Sequence, residues 1–307
     1  MAKTADRLLS GVKRRVIIPS SQALMSDADL LALADDVIAS FMVPMLKSTR
    51  GDFFVTSTAT DLVASQAAYD IPYRAAGRTI RDLKLVDSAG STSDMNLYQI
   101  EDVHMFTGTG SPSGFYFKGD KIIVVPAPSD GTSDLEIWYE LMPSELVVLS
   151  SSSVVSSATT TVVTVDQVPS SIDAGSTVDF IQGRSGNSIL AMDKTVVSVT
   201  PTTITFASGA IPTALGSGDY LAVSQKSPVV MLPDSAYPLL ETMTAIRVLN
   251  SIGDFEGADR LKSDVKEEKE MLLKLLEPRV TGENTKIVNH NGLLRGRRGA
   301  YRGRLFR

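Results

Sequence analysis

GFYFKGDKIIVVPAPSDG, residues 114–131, is followed almost at once by LEIWYELMP, residues 135–143. The first stretch predicts a β-hairpin, because apolar strands flank a glycine-containing turn at Lys118–Asp120. The second places Leu135, Ile137, Tyr139 and Leu141 on one face and Glu136, Trp138 and Glu140 on the other. That alternation is the period of a half-buried strand, and Pro143 stops it. Strand and turn signals of this kind begin at Gly51, so residues 51–149 are expected to form a β domain.

Helical patterns lie on both sides of this domain. In SDADLLALADDVIASFMVPMLKS, residues 26–48, Ser26 is placed to cap a helix, and Asp27 and Asp29 complement the dipole of its first turn. Leu30, Leu33, Val37, Phe41 and Met45 form one apolar stripe, and Pro44 is expected to kink or shorten the last turn. The residues ahead of it carry scattered charge and no continuous apolar run; they read as a basic, flexible lead-in rather than a secretory signal.

Towards the other end, Asp234 or Ser235 is expected to cap a helix over Tyr237–Ser251, with Pro238 in its first turn and Gly253 breaking it. A second helix is expected over Phe255–Glu277, ended by Pro278. Its Ala258, Leu261, Val265, Leu272 and Leu275 repeat with a seven-residue pattern that Glu268 interrupts, while Lys266–Glu270 reads as a solvated face.

Between residues 150 and 161, nine of 12 positions are Ser or Thr, which reads as a linker into a second β unit ending near Lys226. Short strands are expected there around Val162–Val165, Val178–Ile181, Thr195–Thr200, Thr202–Phe206 and Tyr220–Ser224, the spacing of a small barrel or sandwich. The expected fold is therefore α+β. N- and C-terminal helices pack as a small bundle, with a β domain and an inserted Ser/Thr-rich β-barrel or sandwich between them. The parts are 1–50 (basic N-terminus and first helix), 51–149 (β domain), 150–227 (inserted β domain), 228–278 (helical pair) and 279–307 (basic tail).

Little in the sequence points to chemistry. Without cysteine there is no disulfide, thiolate metal site or cysteine nucleophile, which suits synthesis in a reducing cytoplasm. No apolar run approaches the roughly 18–20 residues of a membrane span. The two histidines, His104 and His290, have no metal-ligand pattern around them, and Glu101 and Asp102 are merely adjacent acids. GTGSPSG, residues 108–114, has the wrong spacing for a dinucleotide loop and precedes a hairpin rather than a helix. Gly114 and Gly119 have the P-loop spacing, but Asp120 stands where the lysine belongs. No serine sits in a nucleophile elbow, and no pair of carboxylates is singled out for glycoside hydrolysis. No catalytic residue, metal site or cofactor is assigned.

The conspicuous feature is the end of the chain. NGLLRGRRGAYRGRLFR, residues 291–307, has six arginines and no acid, and Lys286 adds a seventh cation beyond Asn284. With a net charge of −5 overall, the preceding part carries −12. Three readings stay open. As a nucleic-acid arm, its arginines neutralise phosphates while Tyr301 and Phe306 stack on bases. As a protein-docking strand, it offers charged forks at Arg295, Arg297, Arg298, Arg302, Arg304 and Arg307, apolar anchors at Leu293, Leu294, Leu305 and Phe306, and Tyr301 as a further docking residue. The third is a solubilising end, which the apolar residues disfavour.

Three stretches together resemble the head-to-tail adaptor proteins of tailed bacteriophages. They are SSQALMSDADLLALADDVIASFMVPML (20–46), FYFKGDKIIVVPAPSDGTSDLEIWYELMPSEL (115–146) and LPDSAYPLLETMTAIRVLNSIGDFEGADRLKSDVKEEKEMLLKLL (232–276). The resemblance covers residues 17–149 and 228–280. It implies a structural virion protein at the head–tail junction, made in the host cytoplasm. It also implies a homo-oligomeric ring, commonly of twelve copies, attached below the portal protein and extending a channel that DNA traverses without sequence-specific binding. The arginine tail would then be a strand docking into the portal. The 150–227 unit would face outward towards tail fibres, other neck or tail proteins or host glycans, or would simply widen the ring. The rival readings are a nucleic-acid-binding protein and a glycan-binding β protein.

Overall fold

The computed structural model describes residues 3–16, 25–101, 108–183 and 189–276. Five α-helices gather at one end: α1 (Ala5–Val16), α2 (Asp27–Val37), α3 (Val43–Thr49), α4 (Tyr237–Ile252) and α5 (Phe255–Leu276). α4 is the shared partner, packing against α1, α2 and α5. Their apolar faces make one core, including Leu8, Val12, Leu30, Val37, Met42, Leu46, Leu240, Val248 and Leu272. The N- and C-terminal helices thus form the expected bundle.

The basic lead-in is not loose. Ala5, Leu8, Leu9, Val12 and Val16 recur at helical spacing and are all buried, while Lys13 and Arg14 point outward. The start of α1 is also strapped down. The Ala5 N–H donates to the Pro228 carbonyl at 2.8 Å, and the Val230 N–H donates to the Lys3 carbonyl at 2.9 Å. Gly11 lets α1 approach α4 closely, because a Cβ there would lie 2.2 Å from Glu241 Oε1. Arg15 then reaches Glu241 Oε2 at 3.2 Å and lies 3.9 Å from Glu268 Oε1. Glu268, the polar interruption of the α5 stripe, also accepts from Thr242 Oγ1 at 3.1 Å. It is thus an inward-facing partner of α1 and α4.

Ser26 caps α2 as expected, in a reciprocal capping box with Asp29. Pro44 does not end the helix that follows. A π-helical turn, Ile38–Met42, with Val43 N–H bonded to the Ile38 carbonyl, lies immediately before it. The wider turn accommodates a residue that has no N–H of its own, and the helix runs on to Thr49. Neither Asp234 nor Ser235 caps α4. They form a 3₁₀ turn, Asp234–Ala236, and the cap position falls to Ala236 without a side-chain bond. Gly253 ends α4 in a left-handed conformation, φ +84°. On α5, Leu276 rather than Leu275 faces inward, because a seven-residue repeat drifts from the helical period while eighteen residues from Ala258 make five full turns.

The β domain has two four-stranded sheets over one core. The first, all antiparallel, runs β1 (Val55–Asp61), β10 (Asp134–Leu141), β3 (Ala75–Val86), β4 (Thr92–Asp94). The second runs β2 (Ala68–Asp70), β8 (Lys121–Val125), β7 (Gly114–Lys118), β5 (Asn96–Leu97). β7 and β8 are the expected hairpin, with Lys118 paired to Lys121 and Gly119 at φ +60° in the turn. Leu135, Ile137 and Tyr139 of β10 meet Ile122 and Val124 of β8 in the shared core. A small parallel pair, β6 (Thr109–Gly110) and β9 (Ala127–Pro128), lies beside them.

The chain leaves this domain through β11 (Glu145–Leu146) and returns through β18 (Lys226–Ser227), which pair in parallel. Between them a barrel closes in the order β12 (Ser153–Ala158), β13 (Val162–Val165), β16 (Thr203–Phe206), β15 (Ile189–Val199), β14 (Thr177–Ile181), β17 (Tyr220–Val223). Val155, Val163, Val178, Phe180, Val196, Ile204, Phe206 and Leu221 fill it. The stretch read as a linker supplies β12. A Ser-rich composition suggests a spacer, but the strand is anchored by Val155, which is buried in the barrel core.

Barrel and β domain are joined by Arg74, which is 6% exposed. Its Nη1 and Nη2 donate to the two oxygens of Asp179 at 2.8 and 2.9 Å, and Nη2 also donates to Asp193 Oδ1 and Ser224 Oγ, each at 2.8 Å. Asp179 is fully buried and accepts two more bonds, from the backbone N–H groups of Asp193 (2.9 Å) and Gln225 (3.1 Å). Asp193 and Gln225 present those groups from left-handed conformations, φ +55° and +66°. Burial opposes the charge of Arg74, but the hydrogen bonds to Asp179 and Tyr73 and the charges of Asp179 and Asp193 together outweigh it and hold the guanidinium above its usual pKa.

Two outcomes follow. Leu8→Ala should lower stability by about 2–5 kcal/mol in urea unfolding, whereas a loose lead-in would register almost nothing. Arg74→Met should cost about 3–5 kcal/mol by stranding the Asp179 carboxylate. Adding Asp179→Asn to it should recover part of that loss in a double-mutant cycle, and strict additivity would count against the pair.

Candidate functional site

A groove of about 970 Å³ opens between α1, α2 and the segment 145–151 that leads into the barrel. Each wall has a local reason to be there. α1 turns its apolar stripe to α4 and leaves Asp6, Ser10 and Lys13 on the groove side. α2 buries Leu30, Ala34 and Val37, which carries Asp27, Asp35 and Asp36 to the opposite wall. Glu145–Leu146 is held by its parallel pairing with β18. The floor is apolar, from Leu9, Leu31, Leu146 and Val148. The rim holds five carboxylates, Asp6, Asp27, Asp35, Asp36 and Glu145, against the single cation Lys13.

Three carboxylates are engaged. Asp27 pairs with Lys13. Asp6 accepts from the Leu149 N–H at 3.3 Å, and both Asp35 oxygens lie 3.1 Å from the Leu146 N–H. Asp36 and Glu145 are exposed and have no cation partner among the described residues. Burial pushes the Asp35 carboxyl up to about 7; the Leu146 hydrogen bond opposes that rise, and the like charges of Glu145 and Asp36 add to it. The rim is therefore predominantly acidic.

Among the described residues no three acids or histidines are placed to hold a metal ion. No described helix is long and apolar enough to cross a membrane. Gly108–Gly114 runs through β6 into β7 rather than opening a helix, with Gly114 packed against Tyr98 and the Asn96 carbonyl. His104 and His290 lie outside the described residues. So do the docking candidates of the tail: Leu293, Leu294, Arg295, Arg297, Arg298, Tyr301, Arg302, Arg304, Leu305, Phe306 and Arg307. The groove residues were missed because they come from three separate stretches. The available signal was the four-residue spacing of Leu8, Val12 and Val16, which marks α1 as a packed helix with a polar outer face.

Asp35 gives the groove a pH signature. Its folded pKa, about 7, lies above the ordinary 3.8, so between those values the folded chain keeps a proton that the unfolded chain has released. The stability tied to this group is greatest below the lower value and is lost as pH rises through the upper one. Asp35→Asn should therefore gain on the wild type as pH is raised from about 5 to about 8, read from urea midpoints at each pH. A constant difference across that range would show that Asp35 titrates normally.

Comparison with curated proteins returned no match. A family model described as SU10 adaptor protein matches residues 3–174, more than half of the chain. The match runs from α1 through the β domain and stops between β13 and β14, so it includes residues 150–174, which the resemblance left aside. Its span takes in all three walls of the acidic groove. The chain thus belongs to the SU10 adaptor protein family and is a head-to-tail connector protein of a tailed bacteriophage, a structural component of the virion at the head–tail junction.

Proposed function

We propose that the protein works without catalysis, as an adaptor ring below the portal, commonly of twelve copies, that extends the DNA channel towards the tail. The family match over residues 3–174 carries this reading. The architecture supports it. Bundle, β domain and barrel are tied together by the β11–β18 pairing and the Arg74 junction, which suits a part that must transmit load. The acidic body, −12 ahead of Asn284, suits a channel along which DNA passes without sticking, because phosphates are repelled by like charge.

The arginine tail, Asn291–Arg307, then docks into the portal. Its arginines supply planar forks for carboxylates, and Leu293, Leu294, Tyr301, Leu305 and Phe306 supply apolar anchors. The competing reading, a nucleic-acid arm, uses the same arginines on phosphates. The barrel, with its Ser- and Thr-rich surface, faces outward towards neck or tail proteins.

Gold-labelled antibody on purified virions should mark the head–tail junction. Deleting residues 291–307 should abolish portal attachment while leaving the DNA affinity of the isolated protein low and nearly unchanged. A large, salt-dependent loss of DNA binding on that deletion would favour the nucleic-acid arm instead.

A further inference from the structure

We propose that the groove between α1, α2 and residues 145–151 holds the arginine-rich segment Asn291–Arg307 of this protein until the segment engages the portal. The timing rests on the portal reading; the occupancy does not, and it is tested on the protein alone.

The two surfaces match in kind. The groove offers an apolar floor (Leu9, Leu31, Leu146, Val148) beneath a rim with five carboxylates and one lysine. The segment offers six arginines interleaved with Leu293, Leu294, Tyr301, Leu305 and Phe306, and no acid. A purely basic strand would need only charge, and a purely apolar one only the floor; this segment carries both along its length. Its glycines at 292, 296, 299 and 303 let the backbone lie close to a wall. Asp36 and Glu145, exposed on the rim without a cation among the described residues, present carboxylates that a guanidinium fork fits. Burial is the main cause of the raised Asp35 pKa, and the like charges of Glu145 and Asp36 add a smaller share that a bound cation would relieve.

The chain is long enough. Arg50 Nε donates to the Leu276 carbonyl at 3.2 Å, which puts the end of α5 beside the end of α3. From there back to Asp35 is fifteen helical residues, about 22 Å. The fourteen residues 277–290 reach up to about 48 Å when extended. The segment can therefore enter the groove of its own chain or that of a neighbouring copy. Either placement solves a problem for a protein made in a cell full of nucleic acid, where six uncovered arginines bind phosphates without specificity.

The protein contains no cysteine, so an introduced pair reports alone. Ala32→Cys lies in the groove lining and Ala300→Cys within the segment. In the full-length double variant, mild oxidation should give a disulfide on a non-reducing gel. It should appear as a faster monomer if the segment enters its own groove, or as covalently linked copies if it enters a neighbour's. The yield should fall about tenfold between about 0.05 M and about 0.5 M salt, as the screening length shortens. It should fall similarly on adding Asp36→Asn and Glu145→Gln, two exposed substitutions outside the core; circular dichroism checks that the fold is retained. The reference is Thr160→Cys with Ala300→Cys, on an exposed turn of the barrel. A yield no higher than this reference, or one indifferent to salt and to the rim substitutions, overturns the proposal. Portal attachment, scored separately on particles, would stand or fall on its own result.

Discussion

The barrel has to return the chain to the point where it received it. Two residues on each side accomplish this, β11 and β18 running in parallel, with Glu145 and Val147 donating to the carbonyls of Gln225 and Ser227. Everything after residue 227 depends on that pairing. The buried Ser227 hydroxyl closes a tight turn onto Val229, and the next residues strap down Lys3–Ala5 before the chain enters α4. Because α1, α2 and α5 all pack on α4, a shifted exit would misplace the whole bundle. Arg74 fixes the remaining freedom by binding the barrel to the β domain away from that neck. Its partner Asp179 has four hydrogen bonds, so the pair is buried with its charges met rather than stranded.

Elements whose pattern is local were legible in the sequence. The β7–β8 hairpin is written in its turn glycine, β10 in its strict alternation, and the α2 terminus in Ser26 and Asp29. Elements that depend on context were not. β12 exposes Ser156 and Ser157 to water and buries Ser153, and composition alone cannot separate such a strand from a spacer. α1 carries so many cations that its apolar stripe is diluted, although the stripe lies wholly in the core. The π turn before Pro44 is a tertiary adjustment, made where Met42, Val43 and Leu46 all remain buried.

The groove was illegible for a different reason. Its acids lie at 6, 27, 35, 36 and 145, and nothing in the order of the residues says that α1, α2 and the entry to the barrel will meet. Asp35 and Asp36 read as the polar face of a helix, which they are. What the fold adds is a second acidic wall from Glu145 and an apolar floor between them. Glu268 shows the same limit on a smaller scale. It looked like a flaw in a heptad, and became a partner once Arg15 and Thr242 were brought beside it.

The charge distribution of the chain follows from these facts. Held as proposed, the arginine-rich arm would need to be covered, yet not so tightly that it cannot leave. Carboxylates buried and fully paired, like Asp179, would hold an arginine too firmly, because breaking such a pair strands a charge away from water. Asp36 and Glu145, exposed on a rim, contribute little each, since water screens them and takes back either partner on release. Several weak pairs over a shallow apolar floor therefore make a holder that a better-formed site can empty. The deep kind is seen at Arg74, and the proposed holder of the tail is of the open kind. The deep one fixes the protein's domains, and the open one lies where the three walls of the groove meet solvent.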